Sequence, residues 1–340
     1  MEIIYEDKSK GLIISMADSY DHTFLQFARD ITYGTKGFIY KMNSVEAEIK
    51  KFTHFVSLTE NDELIGICLY KRKQIQQNNR IINAFYRSFL SILPAKRNYG
   101  YATLLATKTT DFFLAQFESA LIYIYVDEKN IRIRRVAQKA EFSQLATFLL
   151  VSHISLMPKQ SKQVAKIDPG DTSKFLSLLN NQYANHAFVD IRESFDASSY
   201  YVLKVNGEIK AGMQVKVISY TFEKFPGLYG FLLMNIIPKL PVLKKVFNPK
   251  NHTFLKVGNI YAAEHKYLSK LLEGVLSLYD FRTSIACLNP YSTIDSTFIN
   301  IMKKGLLSSV TSKHYMLLNS KNIDIDELGV NAANCFYSSF

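Results

Sequence analysis

The chain states one structural phrase twice, and that repetition limits the folds open to it. Gly11-Leu12-Ile13-Ile14-Ser15 reads as a short apolar strand, followed by Asp18 and Asp21 as helix-capping residues and an amphipathic stretch with Phe24, Leu25 and Phe27. Gln163-Val164-Ala165-Lys166-Ile167 opens a matching phrase, in which Asp168-Pro169-Gly170-Asp171 precedes Phe175, Leu176, Leu178 and Leu179 at helical spacing. Each phrase runs into a hairpin. The first turns at Asn61-Asp62 and the second at Asn206-Gly207, pairs that suit the positive φ angles of tight turns, with apolar residues on both sides. Two hairpins in matching order imply a duplication, and 340 residues with 48% hydrophobic content can bury two cores.

After the first hairpin, residues 81–93 read as another strand. A loop follows, then a helix over 101–117 with Leu104, Leu105, Phe112 and Phe113 on one stripe. Leu121-Ile122-Tyr123-Ile124-Tyr125-Val126 is a continuous apolar strand of the buried kind. Residues 130–139 form a helix with Ile133, Val136, Ala137 and Ala140 on one side and Arg132, Arg135 and Lys139 on the other. The second half echoes this order with a helix over 265–278, a strand at Ser284-Ile285-Ala286-Cys287-Leu288 and a helix over 293–304. The polar, proline-marked stretch Met157-Pro158-Lys159-Gln160-Ser161-Lys162 is the boundary, giving expected domains 1–158 and 159–340.

The loop between the 81–93 strand and the long helix is the best clue to chemistry. Arg97-Asn98-Tyr99-Gly100-Tyr101-Ala102 places a glycine-permissive turn against a helix start, where unpaired amides and the positive end of the helix dipole suit a pyrophosphate. The formal charge is +11, from 41 Lys and Arg against 30 Asp and Glu, and residues 71–110 contain no acid. Lys71, Arg72, Lys73, Arg80, Arg87, Lys96, Arg97 and Lys108 therefore surround the loop in sequence; the plain alternative is a solvated face.

This order of elements resembles the GNAT superfamily, the acyl-CoA-dependent N-acetyltransferases, whose pattern is a strand ending in V-x-P, two residues, then R/Q-x-x-G-x-G/A. Ile92-Leu93-Pro94-Ala95-Lys96-Arg97-Asn98-Tyr99-Gly100-Tyr101-Ala102 follows it, with Asn98 where a further glycine is common. The resemblance implies an α+β fold of two tandem GNAT-like domains, each a mostly antiparallel twisted sheet flanked by helices. It implies acetyl-CoA as co-substrate, with Arg97, Asn98, Tyr99, Gly100, Tyr101 and Ala102 holding the pyrophosphate. Ser91, Ile92 and Leu93 would pair with the pantetheine arm, and residues 122–126 would splay to open the cleft. The family's later signature is matched by Asn130, Lys139 and Phe142. Ala137 stands where many members carry the tyrosine that protonates the leaving thiolate, and Glu141 replaces the usual glycine. With no carboxylate on the 81–93 strand, Tyr86, Tyr125 and Asp127 are the polar candidates for proton transfer. Each also has a plain reading, the tyrosines as strand aromatics and Asp127 as a helix cap.

The second half resembles the fold in outline only. Residues 254–263 lack the R-x-x-G-x-G/A spacing, although Met302-Lys303-Lys304-Gly305-Leu306 is similar to the later signature. That copy is expected to act as structure or as a wall of the acceptor site. Gly227-Leu228-Tyr229-Gly230-Phe231-Leu232-Leu233 reads as a buried helix or interdomain contact, with an apolar pocket wall as the alternative.

Cys68, Cys287 and Cys335 are scattered and lack metal-ligand spacing, and the histidines form no ligand motif, so no metal is expected. The N-terminus lacks a secretory pattern, and prolines and lysines break the apolar window 225–246, so the reading is a cytoplasmic protein without a membrane span. The expected function is transfer of an acetyl group from acetyl-CoA to a primary amine by direct attack, with homodimerisation open. One alternative is a non-catalytic CoA-binding or sensing protein. Another is RNA binding or aminoacyl-tRNA-dependent transfer, suggested by the basic stretch with Phe85, Tyr86 and Tyr99 and by Arg132, Arg134 and Arg135; nucleic acid is not the partner of the leading reading.

Overall fold

Alternation of apolar residues along the strands decides which helix packs on which face. The computed structural model describes residues 1–35, 37–77, 80–187, 195–305, 309–325 and 335. The chain forms two compact units: one holds residues 1–35, Lys41–Ala146 and the described residues 315–325; the other holds residues 37–40, Thr147–His314 and Cys335. Both are α+β, with mostly antiparallel strands flanked by helices.

In the first unit the strands run in the order β1 (Glu2–Asp7), β2 (Leu12–Ala17), β4 (His54–Glu60), β5 (Glu63–Gln77), β6 (Arg80–Ile92), β7 (Ala120–Asp127) and the end of β14 (Ser309–Lys321). Successive side chains on a strand point to opposite faces. Phe55, Ile67 and Leu69 accordingly join a core with Phe24 and Ala28 of α1 (His22–Asp30) and with Val45 and Ile49 of α2 (Val45–Ile49). Val56, Cys68 and Tyr70, one residue on, join Leu105, Ala106 and Phe113 of α3 (Tyr101–Ala115) and Ala137 of α4 (Ile131–Lys139) on the other face. The caps follow the sequence: Asp21 accepts from the Phe24 amide at 2.8 Å, and Asn130 from the Ile133 amide at 3.2 Å.

The second unit has the strand order β8 (Ser143–Ile154), β13 (Thr283–Leu288), β12 (His252–Ala262), β11 (Glu208–Lys224), β10 (Tyr200–Val205) and β9 (Val164–Lys166), with β3 (Ile39–Met42) on β11. Phe175 and Leu179 of α5 (Thr172–Gln182), Leu268, Leu271, Leu272 and Val275 of α6 (Lys266–Leu278), and Phe298 of α7 (Thr293–Met302) share its core.

The two units differ from a simple cut at 158. Strand β8 lies ahead of that point, and it pairs antiparallel with β13 from Leu149↔Leu288 to Ile154↔Thr283, which holds it in the second unit from Thr147 onward. Residues 315–325 return to the first unit, where Asn319 donates to the Ala140 carbonyl at 2.9 Å and Lys321 to the Phe117 carbonyl at 3.2 Å. Polar composition marks an exposed turn, whereas pairing decides which core a strand serves.

Candidate functional site

Strand β6 changes partners along its length, and the site grows from that change. It pairs in parallel with β7 from Asn83↔Ala120 to Tyr86↔Tyr123, and this register ends there although β6 continues to Ile92 and β7 to Asp127. On its other side β6 stays paired with β5, but the register slips, because Leu69 faces Ser88 while Ile67 faces Ser91. Phe89 and Leu90 therefore oppose Cys68 alone, a β-bulge in which Phe89 takes φ 56°. A bulge of this kind bends the strand and re-aims its backbone groups. Gly66, opposite Ile92, permits the close approach of β5 there; a Cβ at Gly66 would stand 2.5 Å from Cδ1 of Ile92 and 3.2 Å from the Ser91 carbonyl oxygen.

The strand then turns through a single 3-10 turn, Pro94–Lys96, into the loop. Asn98 (φ 71°) and Gly100 (φ 85°) are both left-handed, and Gly100 is the residue before α3. A side chain at Gly100 would meet open space, so the glycine answers to backbone angle and not to crowding. Helix geometry leaves the first α3 amides without intrahelical acceptors, and they sit at the positive end of a fifteen-residue helix dipole. Tyr99 is exposed and stacks on Tyr101 with centroids 6.0 Å apart, while Tyr101 and Ala102 pack partly on the core.

The charges around this corner are sorted by contact. Glu60 accepts from both the Lys96 ammonium and the Tyr101 hydroxyl, and these bonds hold its carboxyl below the ordinary range. The same contact raises Lys96 and Tyr101. Lys73 and Arg87 are buried; Arg87 donates to the Ala106 carbonyl and Thr110 beneath α3, at 3.3 and 3.2 Å. Arg72 lies over the Phe117 ring, Lys108 over Tyr5, and Phe85 is in the core. The basic stretch of the sequence is thus dispersed through the unit. Arg97 is the exposed base that faces the cleft, its Nε held at 3.2 Å by the Ile92 carbonyl.

A cleft of about 570 Å³ opens beside the strand end, within the size range of small-ligand sites. Ser91, Ile92, Leu93, Pro94 and Arg97 form one wall; His22, Gln26, Phe27 and Asp30 of α1 and Glu63 of β5 form another. Of the expected cofactor residues, Ser91, Ile92, Leu93 and Arg97 line this cleft, and Asn98, Tyr99, Gly100, Tyr101 and Ala102 continue from it into α3. Asn130 is elsewhere engaged, as the cap of α4. Tyr86 and Tyr125 come together where the β6–β7 register ends, with centroids 5.7 Å apart; Tyr123 stacks on Tyr86 at 5.4 Å and Phe52 at 5.9 Å. Asp127 accepts from the Lys129 amide at 2.8 Å, and its carbonyl accepts from the Asn130 amide at 2.9 Å, so it shapes the turn while Asn130 caps the helix. Ala137 is fully buried, and Glu141 takes φ 59° just after α4, in the region that favours glycine.

Sequence reasoning missed Glu60, the bulge at Phe89 and the α1 wall of the cleft. Gly66 did carry a signal, since an isolated glycine inside a strand pattern marks a bulge or a close backbone approach. Among the described residues no cluster of three or more His, Cys, Asp or Glu could hold a metal ion, and no helix is long and apolar enough to cross a membrane.

No protein-family model and no curated protein sequence matches the chain. Solved structures do. Saccharomyces cerevisiae N-myristoyltransferase, crystallised with bound myristoyl-CoA, matches with a TM-score of 0.58 at 10% identity, over 90% of this chain and 79% of that one. A second structure of the same yeast enzyme with myristoyl-CoA gives 0.52 at 10% identity, over 93% and 76%. A GCN5-related N-acetyltransferase from Anabaena variabilis gives 0.49 at 10% identity, over 90% and 72%. The chain thus shares the N-myristoyltransferase fold.

Proposed function

We propose that the protein is an acyl-CoA-dependent N-acyltransferase that moves an acetyl or similarly short acyl group to a primary amine. The observation that carries this reading is the corner from β6 into α3: a bulged strand whose edge leaves β7 after Tyr86, then two left-handed residues, then a helix N-terminus. In this reading the amides of Asn98 to Ala102 hold the pyrophosphate, and the Ser91, Ile92 and Leu93 edge pairs with the pantetheine arm. Amides freed by the bulge at Phe89 and Leu90 polarise the thioester carbonyl. The amine nitrogen attacks that carbon, loses a proton, and the C–S bond breaks to leave a thiolate that takes one up. Tyr86 and Tyr125 are the groups we assign to these proton transfers, with Asp127 at the strand end. His22, Asp30 and Glu63 on the opposite cleft wall suit recognition of a cationic acceptor. The rings of Phe52, Tyr86, Tyr123 and Tyr125 pack together at the opening, which favours a short acyl chain over a long one.

The test is thiol release from acetyl-CoA and from myristoyl-CoA across a panel of small amines and peptides. Amine-dependent release from acetyl-CoA, at least tenfold faster than from myristoyl-CoA, is the expected result. Release from the long donor alone overturns the acyl assignment. A second reading, a CoA-binding protein without turnover, is favoured by buried Ala137 in the place of the family's tyrosine. It stands if acetyl-CoA binds and no amine releases thiol.

A further inference from the structure

The segment after β11 is helical and apolar, and its outer face is bare. It runs as a helix Gly227–Phe231, one π turn Leu232–Ile236, a 3-10 turn Ile237–Lys239 and a last turn Pro241–Lys244. Leu228 is 78% exposed, Tyr229 70% and Phe231 55%, and Leu232, Ile236 and Leu240 are also exposed. These are six of the fifteen large exposed hydrophobics among the described residues, gathered in thirteen positions of sequence. Scattered apolar surface residues need no explanation, but a contiguous group does. Leu228, Leu232 and Ile236 recur at helical spacing, so the apolar side chains share a face.

The base of this segment is fixed. Gly230 is buried, and a Cβ there would stand 2.4 Å from the Phe225 carbonyl oxygen. Phe225 packs against Phe38, Phe222 and Phe247 at centroid distances of 4.7, 5.1 and 5.6 Å. The exposed face is therefore carried on a clamped aromatic platform. Its surroundings are basic. Residues 224–263 contain no acid, while Lys224, Lys239, Lys244, Lys245 and Lys250 are all exposed. The nearby acids are Glu223 at the end of β11 and Asp280, which binds Lys245 at 2.9 Å and Arg282 at 2.9 Å.

We infer that this face docks the protein on an anionic phospholipid bilayer, with Leu228, Tyr229, Phe231 and Leu232 entering the headgroup boundary and Lys224, Lys239, Lys244 and Lys250 meeting lipid phosphates. Exposed apolar and aromatic residues flanked in sequence by exposed lysines on a short helical segment are what an interfacial element needs, and the segment is too short and too interrupted to span. The charge selects the partner: a neutral apolar partner gives no reason for five exposed lysines against two nearby acids. The inference stands apart from the acyl-transfer reading.

The experiment is flotation of the full chain with vesicles of phosphatidylcholine alone and with roughly a third phosphatidylserine, at low and high salt. Binding to the anionic vesicles only, weakened by salt, is expected. Lys239→Gln with Lys244→Gln lowers partitioning by roughly twenty- to thirtyfold at low salt, since each lysine near such a surface adds about fivefold. Leu228→Ser with Phe231→Ser lowers it by about tenfold or more. These side chains are exposed, so unchanged thermal melts accompany both variants. Absence of binding to anionic vesicles overturns the inference, as does equal binding by the Leu228→Ser, Phe231→Ser variant. Light scattering that shows a dimer dissolved by the same apolar variant also overturns it, because the face then serves a second copy.

Discussion

Strands β6 and β12 begin alike. Each pairs in parallel with the next strand for a few residues, β6 as far as Tyr86↔Tyr123 and β12 over Leu255↔Ser284 to Val257↔Ala286. Each then bulges against the preceding strand, with Phe89 at φ 56° in one and Asn259 at φ 45° in the other. Beyond the bulge a glycine faces each strand, Gly66 opposite Ile92 and Gly212 opposite Tyr261. From there they part. Between Ile92 and Tyr101 lies an eight-residue loop with two left-handed residues, whereas Ala263, Glu264 and His265 alone separate β12 from α6. The carbonyls freed at the second bulge are filled from within: Tyr183 donates to the Ile260 carbonyl at 2.8 Å, Gln182 to the same oxygen at 2.6 Å, and Tyr200 to the Asn259 carbonyl at 2.7 Å. The comparable edge in the first unit borders the 570 Å³ cleft. A bulge leaves polar backbone that needs partners, and the second unit supplies them from its own side chains while the first keeps its edge beside open space.

The largest expected effect comes from Gly100→Glu, which forces a side chain to φ 85° and puts a carboxylate at the α3 N-terminus. Affinity for acetyl-CoA falls by more than about 100-fold by calorimetry, while Glu264→Gln at the α6 N-terminus leaves it unchanged. Equal losses would erase the distinction between the two corners.

Next in size is a pH effect confined to the second unit. Burial raises Asp295 to about 7, against an ordinary carboxyl near 3.8, and its hydrogen bond from the Asn289 amide at 2.9 Å offsets little of this. The folded state therefore favours the protonated acid. Stability from this group is full below about pH 4, is lost as pH rises to 7, and is level above that. Asp295→Asn removes that slope and stabilises the protein at neutral pH by on the order of a few kcal/mol in urea melts. An unchanged slope in the variant counts against the assignment.

Removing the internal plug is a milder change. Gln182→Ala with Tyr183→Phe leaves the Ile260 carbonyl unpaired and costs about 1–3 kcal/mol of stability, with donor affinity in the first unit unchanged. A second equivalent of acetyl-CoA bound by this variant would show that the plug alone closed the site. The smallest effect is that of Glu60→Gln, which frees Lys96 and Tyr101 beside the loop and shifts donor affinity by no more than about threefold, more at low salt than at high.

Much of this comparison was legible in the residues. Asn61-Asp62 and Asn206-Gly207 announced both hairpins, and all four residues have positive φ. Gly100 announced the loop, because few residues enter a helix from a left-handed position. The bulges were hidden: nothing about a phenylalanine suggests φ 56°, and Phe89 holds it only because pairing on the β5 side fixes the strand before and after it. Glu60 was hidden for a related reason, since its partners Lys96 and Tyr101 lie 36 and 41 residues away. The 227–233 stretch was read as buried from its composition, but hydrophobicity tells which residues avoid water and not whether a given fold can cover them.

The central claim is that one corner of two binds an acyl-CoA. Calorimetric titration of the full chain with acetyl-CoA tests it most directly. A single equivalent per chain, lost in Gly100→Glu and kept in Gln182→Ala with Tyr183→Phe, is the predicted result. Two equivalents, or a single equivalent that survives Gly100→Glu, would contradict it.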